Sequence, residues 1–426
     1  MKTKHQQTKL SCVAIAFAAL ATQVQAQSFS EVVQNALTIY PSMLSAKAKT
    51  EAQRSDIDRA RAAHKPQISY GYTRSQYANG QLPSTVEANT RSPSVRLNLW
   101  SGGRIEADAR RAEALTESSE FSEALTRDDV ALLAAEAYIN WARAMDMYDL
   151  ATKNLESHRI TLEDIQKIVV VDTGRRIDLE QAQVRMDNAK LSKLQRQTEL
   201  FQARQKLNRF WQASLPAKPL GLKEALSPNG RLGKVPNSQE QLMESVSDEL
   251  PLIAAQKAQV TAAQEAVSMA KGQYWPTLDL TSTRQLNLAT TPYKQDTFTQ
   301  VQLNMPLYSG GATAAAVQTA VGQLKAAQYN LDEARLLAKE KAALAYQEWV
   351  NAQGRAEQGE SQARMGDKVV EGYRQQFRLA RRQLLDLLNI QAESYGYQSS
   401  AINAFYDEQI TRARMLAAAG DLAKRF

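Results

Sequence analysis

Residues 93–107 read PSVRLNLWSGGRIEA, and residues 301–315 read VQLNMPLYSGGATAA. In the first stretch Val95, Leu97 and Leu99 alternate with Arg96 and Asn98. In the second, Val301, Leu303 and Met305 alternate with Gln302 and Asn304. A period of two puts the apolar residues on one face of a strand and the polar ones on the other. Both alternations stop at Ser-Gly-Gly, where Gly102, Gly103, Gly310 and Gly311 give the backbone the freedom a sharp strand-to-helix turn needs. No proline follows from Arg104 to Val171, or from Ala312 to about Arg378. At 1.5 Å per residue the first of these runs predicts a helix about 100 Å long, too long for a globular domain of this mass.

The same offset recurs along the chain. AYINWARA at 137–144 aligns with AYQEWVNA at 345–352 through Tyr138/Tyr346 and Trp141/Trp349, and IDLEQAQ at 177–183 aligns with LDLLNIQ at 385–391 through Asp178/Asp386. Both pairs lie 208 residues apart, as do the two Ser-Gly-Gly turns. Pro41 and Pro251, and likewise Pro66 and Pro276, are 210 apart. Matched prolines, double glycines and tryptophans at one spacing mark a tandem repeat, which two unrelated alanine-rich domains would not produce.

Each unit reads helix, strand, strand, long helix, helix. In the first, a helix runs from Ser30 to Ala63 and stops at Pro66. Ile68, Tyr70 and Tyr72 then alternate with Ser69, Gly71 and Thr73, and a turn-rich stretch from Asn79 to Pro93 precedes the second strand. In the second unit Leu278 and Leu280 flank Asp279. Val130, Leu133, Ala137, Trp141, Ala144, Tyr148, Ala151 and Leu155 form a packing seam at steps of three and four, and Ala345, Trp349, Ala352, Ala356, Gly359 and Ala363 form its counterpart. The paired tyrosines and tryptophans read as packing residues, and Tyr70, Tyr72 and Trp100 as membrane-interface aromatics. Pro216, Pro219, Pro228 and Pro236 break both patterns, so 212–240 is a connector between a first unit at 27–211 and a second at 241–426.

Residues 1–26 read as an export signal. Lys2, Lys4 and Lys9 precede an apolar core from Leu10 to Ala21, and Val24-Gln25-Ala26 supplies small residues for cleavage. The single cysteine, Cys12, leaves with this segment, which suits an oxidising compartment. The formal net charge of +7 loses three lysines with it, and charges of both signs alternate along the helices, so the basic balance does not point to nucleic acid. His5, His64 and His158 are the only histidines and lie far apart, which excludes a histidine-rich metal site. After the first thirty positions there is no run of about 20 apolar residues, which excludes a polytopic helical membrane protein.

An apolar strand face opposed by arginine, aspartate and amides suits a transmembrane strand whose other face lines a wet lumen. A soluble sandwich would place the same residues in a core, and the long helices favour the first reading. Four strands cannot close a barrel, and open edges are not tolerated in lipid. The chain must therefore oligomerise: a dimer gives eight strands, the smallest count of bacterial single-chain barrels, and a trimer twelve.

The duplicated order, the LWSGG/LYSGG turns, the AY..W helices and the IDLEQAQ/LLDLLNIQAE segments resemble the TolC-like outer-membrane efflux proteins over nearly all of the mature chain. The resemblance implies a mainly α fold with transmembrane β: a homotrimer with a 12-stranded barrel in the outer membrane and a long α-helical tunnel in the periplasm. It implies a conduit that exports substrates as the outer component of a tripartite type I secretion or efflux system. Its partners would be a periplasmic adaptor, an inner-membrane ABC or RND transporter and outer-membrane lipid.

In that family the helices of each hairpin meet at the periplasmic tip, here Asp172 to Arg176 and roughly Leu379 to Gln383. By resemblance the narrowing aspartate ring matches Asp386, a second constriction position falls on Asn389, and the arginine that holds the entrance closed matches Arg382. The family's glycine six residues before the motif aspartate is replaced by Asp172 and Ala380, with Gly174 nearby in the first turn only. The turns are also unusually basic, with Arg175, Arg176, Arg381 and Arg382. Three copies of Asp386 around one axis would attract cations and repel each other unless donors such as Arg382 offset the repulsion. Asp178 and Asp386 would also both stabilise the first turn of a returning helix, the reading preferred for Asp178.

No P-loop, dinucleotide fingerprint, HExxH or nucleophile elbow occurs, so the expectation is a passive conduit without catalysis, cofactor or resident metal. Two other classes compete. A periplasmic adaptor would carry a glycine-rich lipoyl-like domain and an anchored N-terminus, and a structural envelope coiled coil would have soluble strands. The absence of a lipoprotein cysteine and the arginine-rich tip after VVVDTGRR place the sequence nearer the branch serving ABC-type protein secretion than lipidated drug-efflux channels.

Overall fold

The computed structural model describes residues 29–77, 86–211, 238–287, 295–379 and 381–426, with scattered positions from 219 to 236. The leader and most of the connector lie outside the described residues. In chain order the elements are α1 (Phe29–Ile39), α2 (Pro41–Ala62), β1 (Gln67–Tyr77), β2 (Val86–Trp100), α3 (Arg104–Val171), α4 (Arg176–Leu207), α5 (Gln239–Ser245), α6 (Pro251–Lys271), β3 (Thr277–Asn287), β4 (Gln295–Asn304), α7 (Ala312–Arg378) and α8 (Leu384–Ala418). The 68 residues of α3 and 67 of α7 each make one continuous helix, about 100 Å at the standard rise.

The helix before the first strand and the start of the second strand both differ from expectation. The first helix is not continuous from Ser30 to Ala63: it breaks at Tyr40, whose ψ of 131° is extended. Proline disfavours helical geometry in the residue before it and suits the first helical position, so Pro41 ends one helix and starts the next. The second strand begins at Val86, well inside the stretch expected to be turn-rich. It accommodates Pro93 because pairing with β3 passes from Arg91↔Leu286 to Ser94↔Thr283 without a pair at Ser92 or Pro93, where proline has no N–H to donate.

The four strands form one antiparallel sheet in the order β1-β2-β3-β4. Register puts Leu97, Leu280 and Val301 in one row of one face, and Arg96, Thr281 and Gln300 in the adjacent row of the other. On the polar face Arg96 donates to Asp279 at 3.0 Å and Asn98 to the same carboxylate at 3.0 Å. Among the described residues nothing covers the apolar face: Ile68 is 81% exposed, Val301 62% and Leu303 65%. Neither β1 nor β4 has a strand on its outer edge among the described residues.

The main core lies partway down the helices. Phe29, Val32 and Val33 of α1 meet Val130, Ala134, Tyr138 and Trp141 of α3, with Leu207 and Phe210 at the end of α4 and Tyr406, Ile410 and Leu416 of α8. A second cluster gathers Trp349, Ala345 and Ala342 of α7 around Ile253 and Met415. Trp141, Tyr138 and Trp349 are thus packing residues. Leu133 departs from its expected seam and is exposed, because the buried stripe follows Ala131, Ala134, Ala135 and Tyr138 instead. Tyr406 donates to Asp146 at 2.7 Å, and Arg143 pairs with Asp407 at 2.6 Å and Arg414 with Glu136 at 2.7 Å. These three contacts lock α8 onto α3. Burial, followed by the bond to Asp146, raises the Tyr406 hydroxyl pKa.

Candidate functional site

The two Ser-Gly-Gly turns aim the long helices away from the sheet. Gly102, Gly103, Gly310 and Gly311 all have positive φ, from 63° to 85°, which costs any residue with a Cβ. At Gly102 space adds a second demand, since a Cβ there would lie 2.5 Å from that of Trp275. Trp275 also meets Trp100 edge to face at 6.5 Å. The helices starting at these turns end at the opposite pole of the molecule, and there the charged residues singled out in the sequence converge.

The first tip turn is short and self-contained. After Val171 the Asp172 carboxylate accepts from the Gly174 N–H at 3.1 Å, and one 3-10 turn, Thr173–Arg175, leads into α4. A Cβ on Gly174 would lie 3.2 Å from the same carboxylate oxygen, so the glycine suits this cap. Arg175 donates to Asp178 at 2.8 Å and its guanidinium lies 6.0 Å from the Phe377 ring centre, which ties the first turn to the second hairpin. Asp178 sits in the first turn of α4, where a carboxylate is favoured by the helix dipole.

The second turn is looser. Leu379 N–H bonds to the Gln375 carbonyl at 3.2 Å and Arg381 N–H to that of Gln376 at 2.9 Å, and Gln383 opens α8 without a side-chain cap. Arg382 folds back over α7, with its guanidinium 4.2 Å from the Tyr373 ring centre and its Nε donating to Gln376 at 3.2 Å. The same side chain lies 3.7 Å from Asp386. Asn389 accepts from Arg185 of α4 at 3.3 Å. Arg176 and Arg381 are exposed. Arg175, Asp178, Arg381 and Arg382 also line a shallow basic cavity of about 600 Å³ across both turns.

Behind the turns, Leu162 and Ile165 of α3, Ala182 of α4, Phe377 of α7, and Leu384, Leu387 and Leu388 of α8 form a small apolar core. Polar side chains surround it. Gln391 donates to Thr161 at 3.0 Å and to Ser157 at 3.2 Å, and Arg374 donates to Ser157 at 2.8 Å. Arg378 pairs with Asp164 at 3.2 Å. His158 is buried beside these residues, with its Nδ1 making no hydrogen bond. Burial first, and the Arg185 cation second, hold its pKa below the ordinary histidine value.

The structure therefore brings Arg382 to Asp386, Arg175 to Asp178 and Asn389 to Arg185. Sequence reading missed Tyr373, Gln376, Arg185 and the Ser157–Thr161–Gln391 cluster. Tyr373 and Gln376 lie before the turn, so only the geometry of the turn shows that Arg382 reaches back to them.

Comparison with known proteins interprets this arrangement. The family described as "Outer membrane efflux protein" matches residues 32–211 and again residues 242–421. The chain belongs to the outer membrane efflux protein family. Among curated relatives, this efflux-family chain is 25% identical to the outer membrane efflux protein BepC of Brucella suis, over 88% of its own length and 81% of the relative's. It is 23% identical to the outer membrane protein TolC of Vibrio cholerae, over 97% and 95%. Among solved structures its fold is similar to that of CusC, with a TM-score of 0.81 at 15% identity over 93% and 92% of the two chains. It also matches the open-state MtrE channel of Neisseria gonorrhoeae, with a TM-score of 0.78 at 17% identity over 93% and 90%. The protein is thus an outer-membrane channel component whose helices extend into the periplasm, and its family is not one of enzymes.

Proposed function

We propose that three copies of this chain close a 12-stranded barrel and a continuous helical tunnel, and that the tunnel's periplasmic mouth is gated by the second tip turn. The observation that carries this reading is the sheet: among the described residues it has four strands, two open edges and an uncovered apolar face. Such a sheet is stable in lipid only when further copies pair with both edges. The two units would then be 27–211 and 241–426, joined by the connector at 212–240.

In this channel Asp386 and Asn389 form the constriction. Arg382 is the latch, since it offsets the Asp386 carboxylate while stacking on Tyr373 of the preceding helix. The exposed Arg176 and Arg381 present a basic rim to a periplasmic adaptor, which couples the channel to an inner-membrane transporter of the ABC or RND class. The basic rim and the resemblance favour protein secretion driven by an ABC transporter. Another relative with the same degree of identity, the alkaline protease secretion protein AprF of Pseudomonas aeruginosa, 24% identical over 67% of this chain and 60% of its own, is in keeping with that.

The test is single-channel conductance in planar bilayers for the purified protein and its Asp386→Ala variant. The variant is expected to lose cation preference and to conduct more. An unchanged conductance and cation preference would remove Asp386 from the pore.

A further inference from the structure

The outward, apolar face of the sheet changes chemistry along its length. Antiparallel register places Ile68, Leu97 and Leu278 on this face near the helices. Towards the far end the same face carries Arg74 of β1, Arg91 of β2 and Arg284 of β3, all three exposed. Among the described residues one acidic residue, Glu87, holds an outward register position, opposite Gln76 and one row beyond Arg74.

The three arginines are level with one another around the barrel. Arg74 and Arg284 are 210 residues apart, the offset that also relates Pro66 to Pro276 where β1 and β3 leave their helices. Ile68 lies opposite Val95, and Val95 opposite Ser282. The repeat equivalent of Ile68, however, is Leu278, four residues nearer the helices. Positions at one height thus step by two residues per strand, which is the stagger a tilted barrel requires. Arg91 lies opposite Tyr72, two residues short of Arg74, and opposite Leu286, two residues beyond Arg284. The arginines therefore follow the level line.

Their height is also defined. Trp275, paired with Trp100 at the periplasmic end, precedes Arg284 by nine residues. That is about 30 Å of strand, or about 23 Å along the barrel axis at a tilt of about 40°. The apolar band of an outer-membrane barrel is about 25 Å tall. The belt falls where hydrocarbon gives way to the headgroups of the outer leaflet, with the periplasmic helices fixing the opposite end as inside. A guanidinium is costly in the middle of that band and tolerated at its edge, and its planar fork matches a phosphate bidentately.

We propose that Arg74, Arg91 and Arg284 form a headgroup-binding belt for the phosphorylated glycolipid of the outer leaflet. The acyl chains would lie on the apolar rows below, and the phosphates would meet the arginines. The belt lies outside the pore and is independent of the gate.

Native mass spectrometry of the detergent-purified protein tests this with bis-phosphorylated lipid A, its dephosphorylated form and inorganic phosphate as probes. The wild type is expected to retain the phosphorylated lipid about tenfold more strongly than the dephosphorylated one. The triple R74S/R91S/R284S variant is expected to lose that preference, and the triple lysine variant to keep part of it. The wild-type comparison needs no variant to fold: equal retention of the two lipids overturns the proposal. So does a preference that survives in the folded serine variant, or displacement of the lipid by an equal concentration of inorganic phosphate, which would mark a small-anion site.

Discussion

At the level of Trp141, α1, α3 and α8 meet around buried aromatic rings: Tyr138 packs edge to face on Trp141 at 5.4 Å and on Phe29 at 5.3 Å, and Phe29 meets the partly buried Phe426 at 5.5 Å. About 35 Å further along, by the rise of α3, the tip has a small aliphatic cluster with Phe377 as its one buried ring, enclosed by polar contacts. Both regions draw on α3, α4 and α8. The first stores its stability in apolar area and close packing, which have no second arrangement of similar energy. The second relies on Arg382, Arg175 and Gln391, whose bonds can be exchanged for water or for a partner's groups at small cost. A tightly packed level and a more easily loosened end therefore follow from how apolar side chains are distributed along the helices.

The hardest test of that contrast loosens the packed level. Trp141→Ala should cost about 3–5 kcal/mol, the usual loss for a fully buried large aromatic, read as the urea midpoint of the purified protein. Leu388→Ala at the tip should cost about 2–3 kcal/mol, near the low end for a buried leucine, because a small cluster near solvent relaxes into the gap. An equal or larger loss at Leu388 would break the comparison. A smaller effect is expected where the C-terminus docks. Asp128 is buried and its carboxylate accepts from the Ala423 N–H at 2.8 Å. Asp128→Ala leaves that donor unsatisfied, at about 1–2 kcal/mol, whereas Asp128→Asn keeps an acceptor. Faster hydrogen exchange of residues 421–426 in the alanine variant, but not in the asparagine variant, is the expected result.

At the tip the energies are smaller and the functional readout larger. Arg382→Ala removes the stacking on Tyr373 and the neighbouring charge for Asp386, together about 1 kcal/mol for a partly exposed side chain. That corresponds to roughly a fivefold shift towards an open entrance, visible as longer open times in bilayer recordings. Arg382→Lys keeps the charge but loses the planar contact, so it should fall between wild type and alanine. A lysine variant matching wild type would assign the latch to charge alone.

Much of this architecture was legible because it follows from local rules repeated at one spacing. The Ser-Gly-Gly turns, the matched prolines and the period-two runs required a duplicated helix-and-strand unit, and the proline-free spans required long helices. The break at Tyr40 was also legible in principle, since Pro41 restricts the residue before it. Pro93 misled the reading in the other direction: a proline in a strand depends on whether its neighbour needs that N–H, which only the register reveals. The tip charges could be named from sequence. Their partners could not, because Tyr373 meets Arg382 only once the second turn has folded, and Arg185 meets Asn389 only once the two hairpins have packed together.

The smallest effect comes from His158, and it separates the two regions most cleanly. Its folded pKa lies below the ordinary value of 6.5 because it is buried, with the Arg185 cation adding to the cost of a second positive charge. An opened tip exposes the imidazole and restores the ordinary value, so below about pH 6.5 the open state binds a proton that the closed state does not. The stability of the closed tip is thus fully present above that pH and declines as pH falls, by less than about 1 kcal/mol at about pH 6. Hydrogen exchange of peptides from Ser157 to Arg175, corrected for intrinsic rates, should accelerate between about pH 7.5 and about pH 6, while peptides around Trp141 stay unchanged. His158→Gln should remove the pH dependence and leave exchange at the higher pH nearly as in wild type. If the Trp141 region responded equally, the cause would be the protein's overall charge, and the tip would not be the separately weakened end that its side chains describe.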